Sequence, residues 1–135
     1  MLFVTNRFPQ QSIRTRINRK FDFDLKNNAA SNSVFFCEKV RDGEIIEIGS
    51  IQFMERLKGS PYRQLLIFLH GFSNLPDDVL AATQELQNLC DAAANEEVLV
   101  VPLIWPCDND LGIVKDYWDD QKAADQSAYS FSRVL

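Results

Sequence analysis

A chain of 135 residues, 46% of them apolar, suits one domain that buries about two-thirds of its unfolded surface. The formal net charge of −5 argues against nucleic acid or an anionic membrane as the main partner, because phosphate binding needs clustered Lys and Arg. No apolar run approaches the ~20 residues of a membrane span, and Leu2-Phe3-Val4 is too short for a signal-peptide core. Cys37, Cys90 and Cys107 form no CxxC and cannot all pair, so a soluble cytoplasmic chain with free thiols is expected.

In chain order, Leu2 to Thr5 is short, apolar and β-prone. Phe8 to Ser33 lacks periodicity and reads as a long connection; its Arg14, Arg16, Arg19 and Lys20 read as a solvated basic stretch. Val34 to Val40 predicts a strand, Asp42-Gly43 a two-residue turn, and Glu44 to Ile48 a return strand that Ile51 to Met54 extends. Val34–Phe53 is thus expected to form a β-hairpin, closed by a Lys58-Gly59-Ser60-Pro61 loop. Leu65-Leu66-Ile67-Phe68-Leu69 follows, five large apolar residues that predict a strand buried on both faces of a parallel sheet.

The run stops at His70-Gly71, and Pro76-Asp77-Asp78 then opens a helix, with Pro in the first turn and two acids at the positive end of the dipole. Val79, Ala82, Thr83, Leu86, Cys90 and Ala93 share one face of it at 3.6-residue spacing. Val98 to Val101 is a second apolar strand, ending near Trp105-Pro106. An acidic loop from Cys107 to Gly112 leads to a last helix from about Lys115, with Tyr117, Ala124, Ala128, Phe131 and Leu135 as its apolar face. The chain stops there without a capping residue, as if still packing. The expected fold is α/β: a mixed, mostly parallel sheet with flanking helices, built as β-hairpin then strand–helix–strand–helix in one domain of residues 1–135.

Strand, glycine turn, helix is also an arrangement that aims backbone N–H groups at an anion or an oxyanion. His70, the only histidine, lies in this turn, and Gly71 is expected to need a left-handed backbone there.

The order of parts resembles an α/β-hydrolase, here the first half of one. It is most similar to poorly characterised bacterial members that open with Thr-Asn-Arg, here Thr5-Asn6-Arg7, and carry strand-His-Gly-aromatic-x-Asn, here His70-Gly71-Phe72-Ser73-Asn74. Trp105-Pro106 after the next strand, and a helix with Tyr117, Asp125, Ser127 and Ala128, complete the likeness. The resemblance implies a serine hydrolase acting on ester, amide or related acyl bonds through a Ser–Asp/Glu–His triad. Its nucleophile would sit on a G-x-S-x-G elbow after a later strand, with acid and histidine beyond it. None of those positions occurs here. The resemblance carries over the oxyanion side: His70-Gly71 shaping the turn and the Phe72 N–H as one oxyanion donor. A small-molecule ester or acyl substrate is then expected only if a downstream segment completes the site. The missing next strand is expected beside Val98–Val101, leaving that edge open to a second copy or a complementary chain.

Five decoys compete with that reading. Ser73 stands in Gly71-Phe72-Ser73-Asn74-Leu75, one glycine short of an elbow and without a base, and reads as a polar turn residue. Cys107 follows a strand end without a spare histidine to activate it. Asp108, Asp110, Asp116, Asp119 and Asp120 lack the spacing of a calcium loop, and His70 has no second ligand at metal spacing, so neither metal nor cofactor is expected. Trp105 and Trp118 are candidates for lining an acyl pocket, against a plain core role.

Overall fold

In the computed structural model, residues 1–41, 43–94, 96–107 and 113–134 are described, the side chains of 113–119 excepted. Among the described residues, six strands form one sheet: β1 (Leu2–Arg7), β2 (Arg19–Lys20), β3 (Ala30–Lys39), β4 (Ile45–Glu47), β5 (Gln64–Leu69) and β6 (Val98–Ile104). Three helices accompany them: α1 (Gly49–Gly59), α2 (Pro76–Ala93) and α3 (Ile113–Phe131). The spatial order is β2-β4-β3-β1-β6-β5. β1, β6 and β5 run parallel, while β3 is antiparallel to both β1 and β4, and β2 to β4. Four strands of the six, β1, β4, β5 and β6, therefore point the same way, and the expected mixed α/β sheet is present.

The hairpin forms as β3–β4, with Gly43 at φ +87° in its turn; Asp42 lies outside the described residues. Ile51 to Met54 does not extend β4. It belongs to α1, which begins at Gly49 with φ +72°. Phe53 and Leu57, four residues apart, put an apolar face onto β3, and the Phe53 and Phe36 rings meet at 5.2 Å. A helical period hidden in a β-rich composition explains the difference.

Two cores sit on the two faces of the sheet. Val4, Ile48, Phe53, Val101, Leu103, Ala123 and Phe131 pack on the α1/α3 side. Phe3, Phe21, Phe23, Phe35, Val79, Leu80 and Ile104 pack on the α2 side. The connection from Phe8 is longer than most, and it is anchored by β2, by the Pro9–Phe23 bridge and by the insertion of Phe21 and Phe23 into this second core.

Three expectations about packing are overturned. β5 is not buried on both faces: Leu65, Leu66 and Leu69 are exposed. The expected open edge beside Val98–Val101 is not found: β5 pairs along one side of it, Gln87 holds the outward Val98 and Val100 groups on the other, and β1 pairs further along at Leu103 and Ile104; among the described strands the one at the end of the sheet is β5. The reason is the direction of the β5–α2–β6 crossover, which lays β6 on the β1 side of β5. The face of α3 is also different. Ala128 is exposed, Ala124 half-buried, and the buried face runs through Asp120, Ala123, Ser127, Ser130 and Phe131. These small polar side chains are buried because β1 and β3 bond them: Asn6 Nδ2 donates to Ser127 Oγ at 2.9 Å and Ser130 Oγ donates to the Ser31 carbonyl at 3.1 Å. Tyr117 and Leu135, also expected on that face, fall outside the described side chains. Among the described residues no helix is long and apolar enough to cross a membrane.

Candidate functional site

Because β1, β5 and β6 are parallel, Arg7, Leu69 and Ile104 end at one rim of the sheet, and the turn after β5 faces the segment after β6. There His70, buried, straps the two strand ends together. The Trp105 backbone N–H donates to His70 Nε2 at 3.1 Å, and the indole Nε1–H donates to the His70 carbonyl at 3.0 Å. A backbone N–H only donates, so Nε2 carries no proton and Nδ1 does. Nδ1–H then donates to the Gly71 carbonyl at 2.9 Å. The imidazole and the Trp105 indole stack at 5.6 Å and 12°, and Phe72 meets the indole edge-on at 5.7 Å.

Burial lowers the His70 pKa below its usual 6.5, the bond to the Gly71 carbonyl opposes this, and the charge of Arg7 lowers it further. With both nitrogens engaged and the ring held neutral, His70 is a strut of the turn and has no lone pair to act as a base.

The Gly71 carbonyl is the hub of the turn. Besides His70 it accepts from Asn74 Nδ2 at 3.2 Å and from Cys107 Sγ at 3.4 Å; Asn74 Nδ2 also donates to the Phe72 carbonyl at 2.6 Å. Gly71 itself corrects the sequence reading. Its φ lies outside the left-handed region, and a Cβ placed on it would meet nothing within 4 Å. The left-handed residue is Ser73, at φ +55°, whose N–H donates to the Cys107 carbonyl at 3.2 Å. A serine with positive φ between strand and helix is an elbow-like feature, but the neighbouring imidazole, with Nε2 accepting from Trp105 and Nδ1 bearing its proton, is unable to deprotonate it.

Cys107 is brought within 3.6 Å of His70 Nδ1, a proximity not anticipated. That nitrogen bears the proton, so the pair is not a thiolate facing an imidazolium; Sγ instead bonds the Gly71 and Asn74 carbonyls, the latter at 3.3 Å. A signal existed in the sequence. Two adjacent parallel strands that end at His70 and before Trp105 must bring those ends, and Cys107 shortly after, to one place. Trp105 is buried between His70 and Phe72; the Trp118 side chain and Asp108, Asp110, Asp116 and Asp119 lie outside what is described, while Asp120 is buried and accepts from Asn28 Nδ2.

Thr5-Asn6-Arg7 proves to be the opposite wall of this rim, all three fully buried. Thr5 Oγ1 donates to the Ile104 carbonyl at 2.7 Å and accepts the Arg7 N–H at 3.0 Å. Asn6 holds α3 through Ser127, and Arg7 Nε and Nη2 donate to the carbonyls of Asp24 and Leu25. Polar residues at the end of a strand thus tie β6, α3 and the long connection to one point.

No curated protein and no solved structure matches this chain. The family described as "Alpha/beta hydrolase of unknown function (DUF900)" matches residues 49–135, from α1 through the turn, β5, β6 and α3, which is more than half of the chain. The chain belongs to this family of α/β-hydrolases.

Proposed function

We propose that this chain supplies the oxyanion side of a serine-hydrolase site, the turn His70-Gly71-Phe72, and that alone it does not hydrolyse esters or other acyl bonds. One observation carries the reading: the only histidine is committed through both ring nitrogens to holding the turn, so it does not serve Ser73 or Cys107 as a base. In this proposal the Phe72 N–H is one oxyanion donor, and Trp105 and Trp118 flank the acyl group. Acyl chemistry then requires a segment bearing serine and histidine besides the residues present here. We also place the chain in the cytoplasm, a reading supported by three free thiols, of which Cys37 and Cys107 are buried. The test is incubation with a fluorophosphonate probe and a short-chain aryl ester. No specific labelling and no turnover above the buffer rate are expected; labelling that vanishes in Ser73→Ala would make Ser73 the nucleophile and end the proposal. A second reading, a non-enzymatic interaction module, is favoured by a different observation: no strand among the described residues pairs with the outer side of β5.

A further inference from the structure

We infer that Asn74 and Cys107 are positioning residues for the oxyanion donor: with His70 they fasten the Gly71 carbonyl, and so aim and strengthen the N–H of Phe72, the other half of the same peptide. The inference rests on the proposed role of that N–H and adds the side chains that set it.

A trans peptide carries its C=O and N–H on opposite sides, and no described peptide bond is cis. Holding the Gly71 carbonyl therefore fixes where the Phe72 N–H points. Three donors converge on that oxygen: His70 Nδ1 at 2.9 Å, Asn74 Nδ2 at 3.2 Å and Cys107 Sγ at 3.4 Å. His70 and Cys107 are buried. The carbonyl is thus drawn down onto the strand ends, and the N–H on its far side is directed away from them, at a residue 54% exposed. The next peptide is tied the other way. The Ser73 N–H donates to the Cys107 carbonyl at 3.2 Å, toward the segment after β6. Of the two N–H groups that follow Gly71, it is that of Phe72 that turns outward.

The two side chains act differently. Asn74 has two amide protons and gives them to successive carbonyls, Gly71 at 3.2 Å and Phe72 at 2.6 Å. These are the carbonyls before and after the Phe72 α-carbon, so both peptides that meet there are held. Cys107 has one proton for the Gly71 and Asn74 carbonyls, at 3.4 and 3.3 Å, and a thiol is a weak donor. Its pull on Gly71 is the smaller of the two.

Donors on a carbonyl also polarise its amide. They draw electron density to the oxygen and make the N–H a better donor. The chain of bonds begins at the Trp105 N–H, passes through His70 from Nε2 to Nδ1 and arrives at the Gly71 carbonyl. Asn74 and Cys107 add to it at its last link. An oxyanion facing the Phe72 N–H then meets a dipole arranged beforehand, which is the condition for such a donor to lower a barrier.

Base-catalysed hydrogen exchange of the Phe72 amide, followed by NMR on the intact chain, tests this without a substrate. Exchange takes the proton from nitrogen and leaves negative charge on the Gly71 oxygen, so each donor to that oxygen speeds it. Asn74→Ala should slow the Phe72 amide about two- to tenfold, the worth of one hydrogen bond. Mere loosening of the turn would do the reverse. Position 74 is not a chain neighbour of Phe72, so no inductive effect of its side chain enters. Cys107→Ala should slow exchange less. Cys107→Ser, which restores a donor in the same place, should return the wild-type rate or exceed it, whereas a packing role alone would leave Ser no better than Ala. Strong protection of the wild-type Phe72 amide would withhold it from any oxyanion and end the reading on which the inference rests. Ready exchange at Phe72 that Asn74→Ala or Cys107→Ala fails to slow, or a Cys107→Ser variant as slow as Cys107→Ala, would overturn the inference alone.

Discussion

β5 and β6 are neighbours, run parallel and consist almost wholly of apolar residues, yet only β6 is buried. It has β1 on one side and β5 on the other, α2 over one face, and the core of Val4, Phe53 and Phe131 on the other. Among the described residues β5 has a neighbour on one side only, and of its side chains Phe68 reaches the α2-side core. Both runs read in the sequence as doubly covered strands. An apolar run records the surroundings its residues require; whether the same chain provides them is a matter of topology, decided by where each crossover lays the next strand.

The largest test of this contrast is a pair of truncations. Leu103, 4% exposed on β6, should cost ~2–5 kcal/mol on mutation to Ala, by lost transfer and a residual cavity. Leu66, 40% exposed on β5, should cost under ~1 kcal/mol in dilute solution. Urea denaturation of both variants at two protein concentrations measures this. Equal costs at the lower concentration would mean that β5 is covered as fully as β6. A cost for Leu66→Ala that grows with concentration would sharpen the contrast, since the cover would then come from association.

His70 joins the two strands, and its effect should be next in size. His70→Leu leaves the buried Trp105 N–H without its acceptor, for a loss of ~1–3 kcal/mol. The pH dependence has a definite sign. Burial, with Arg7 adding to it, lowers the pKa of folded His70, while the unfolded chain titrates near the ordinary 6.5. Between those values the unfolded chain binds a proton that the folded one refuses, so His70 favours folding fully above about pH 6.5 and progressively less as the pH falls toward the folded pKa. Melting temperatures at pH 7.5 and 5.5 should fall further on acidification in the wild type than in His70→Leu. Equal falls would show that the ring is not held neutral between the strand ends.

How much of this was legible from the sequence follows from the range of the forces involved. Strand and helix positions along Leu65–Val101 were legible, because 3.6-residue and continuous apolar patterns are local. Gly49–Gly59 was not, since Phe53 and Leu57 are only two apolar points of a short helix within a β-prone context. The rim was half legible. The turn at His70 is written in adjacent residues, but Thr5, Asn6, Ser127 and Ser130 act through bonds that span about a hundred positions, and polar residues at such distance leave no period. The buried serine face of α3 was missed for the same reason: hydropathy does not distinguish a polar side chain in water from one whose partner waits on another strand.

The smallest effect lies within the turn itself, and it separates two glycine arguments. Had Gly71 been left-handed, any side chain there would strain the backbone. Its φ is outside that region and the space for a Cβ is open, so Gly71→Ala should stabilise by ~0.4–1 kcal/mol through the reduced freedom of the unfolded chain. Ser73 is the left-handed residue, at φ +55°. Ser73→Gly relieves about 1 kcal/mol of strain but gives the unfolded chain ~0.5–1 kcal/mol of added freedom, so a net change near zero is expected. Thermal melts of the two single variants read the difference. A destabilised Gly71→Ala beside a stabilised Ser73→Gly would place the strain of the turn on both residues, and would mean that the strand ends are held together more tightly than their hydrogen bonds indicate.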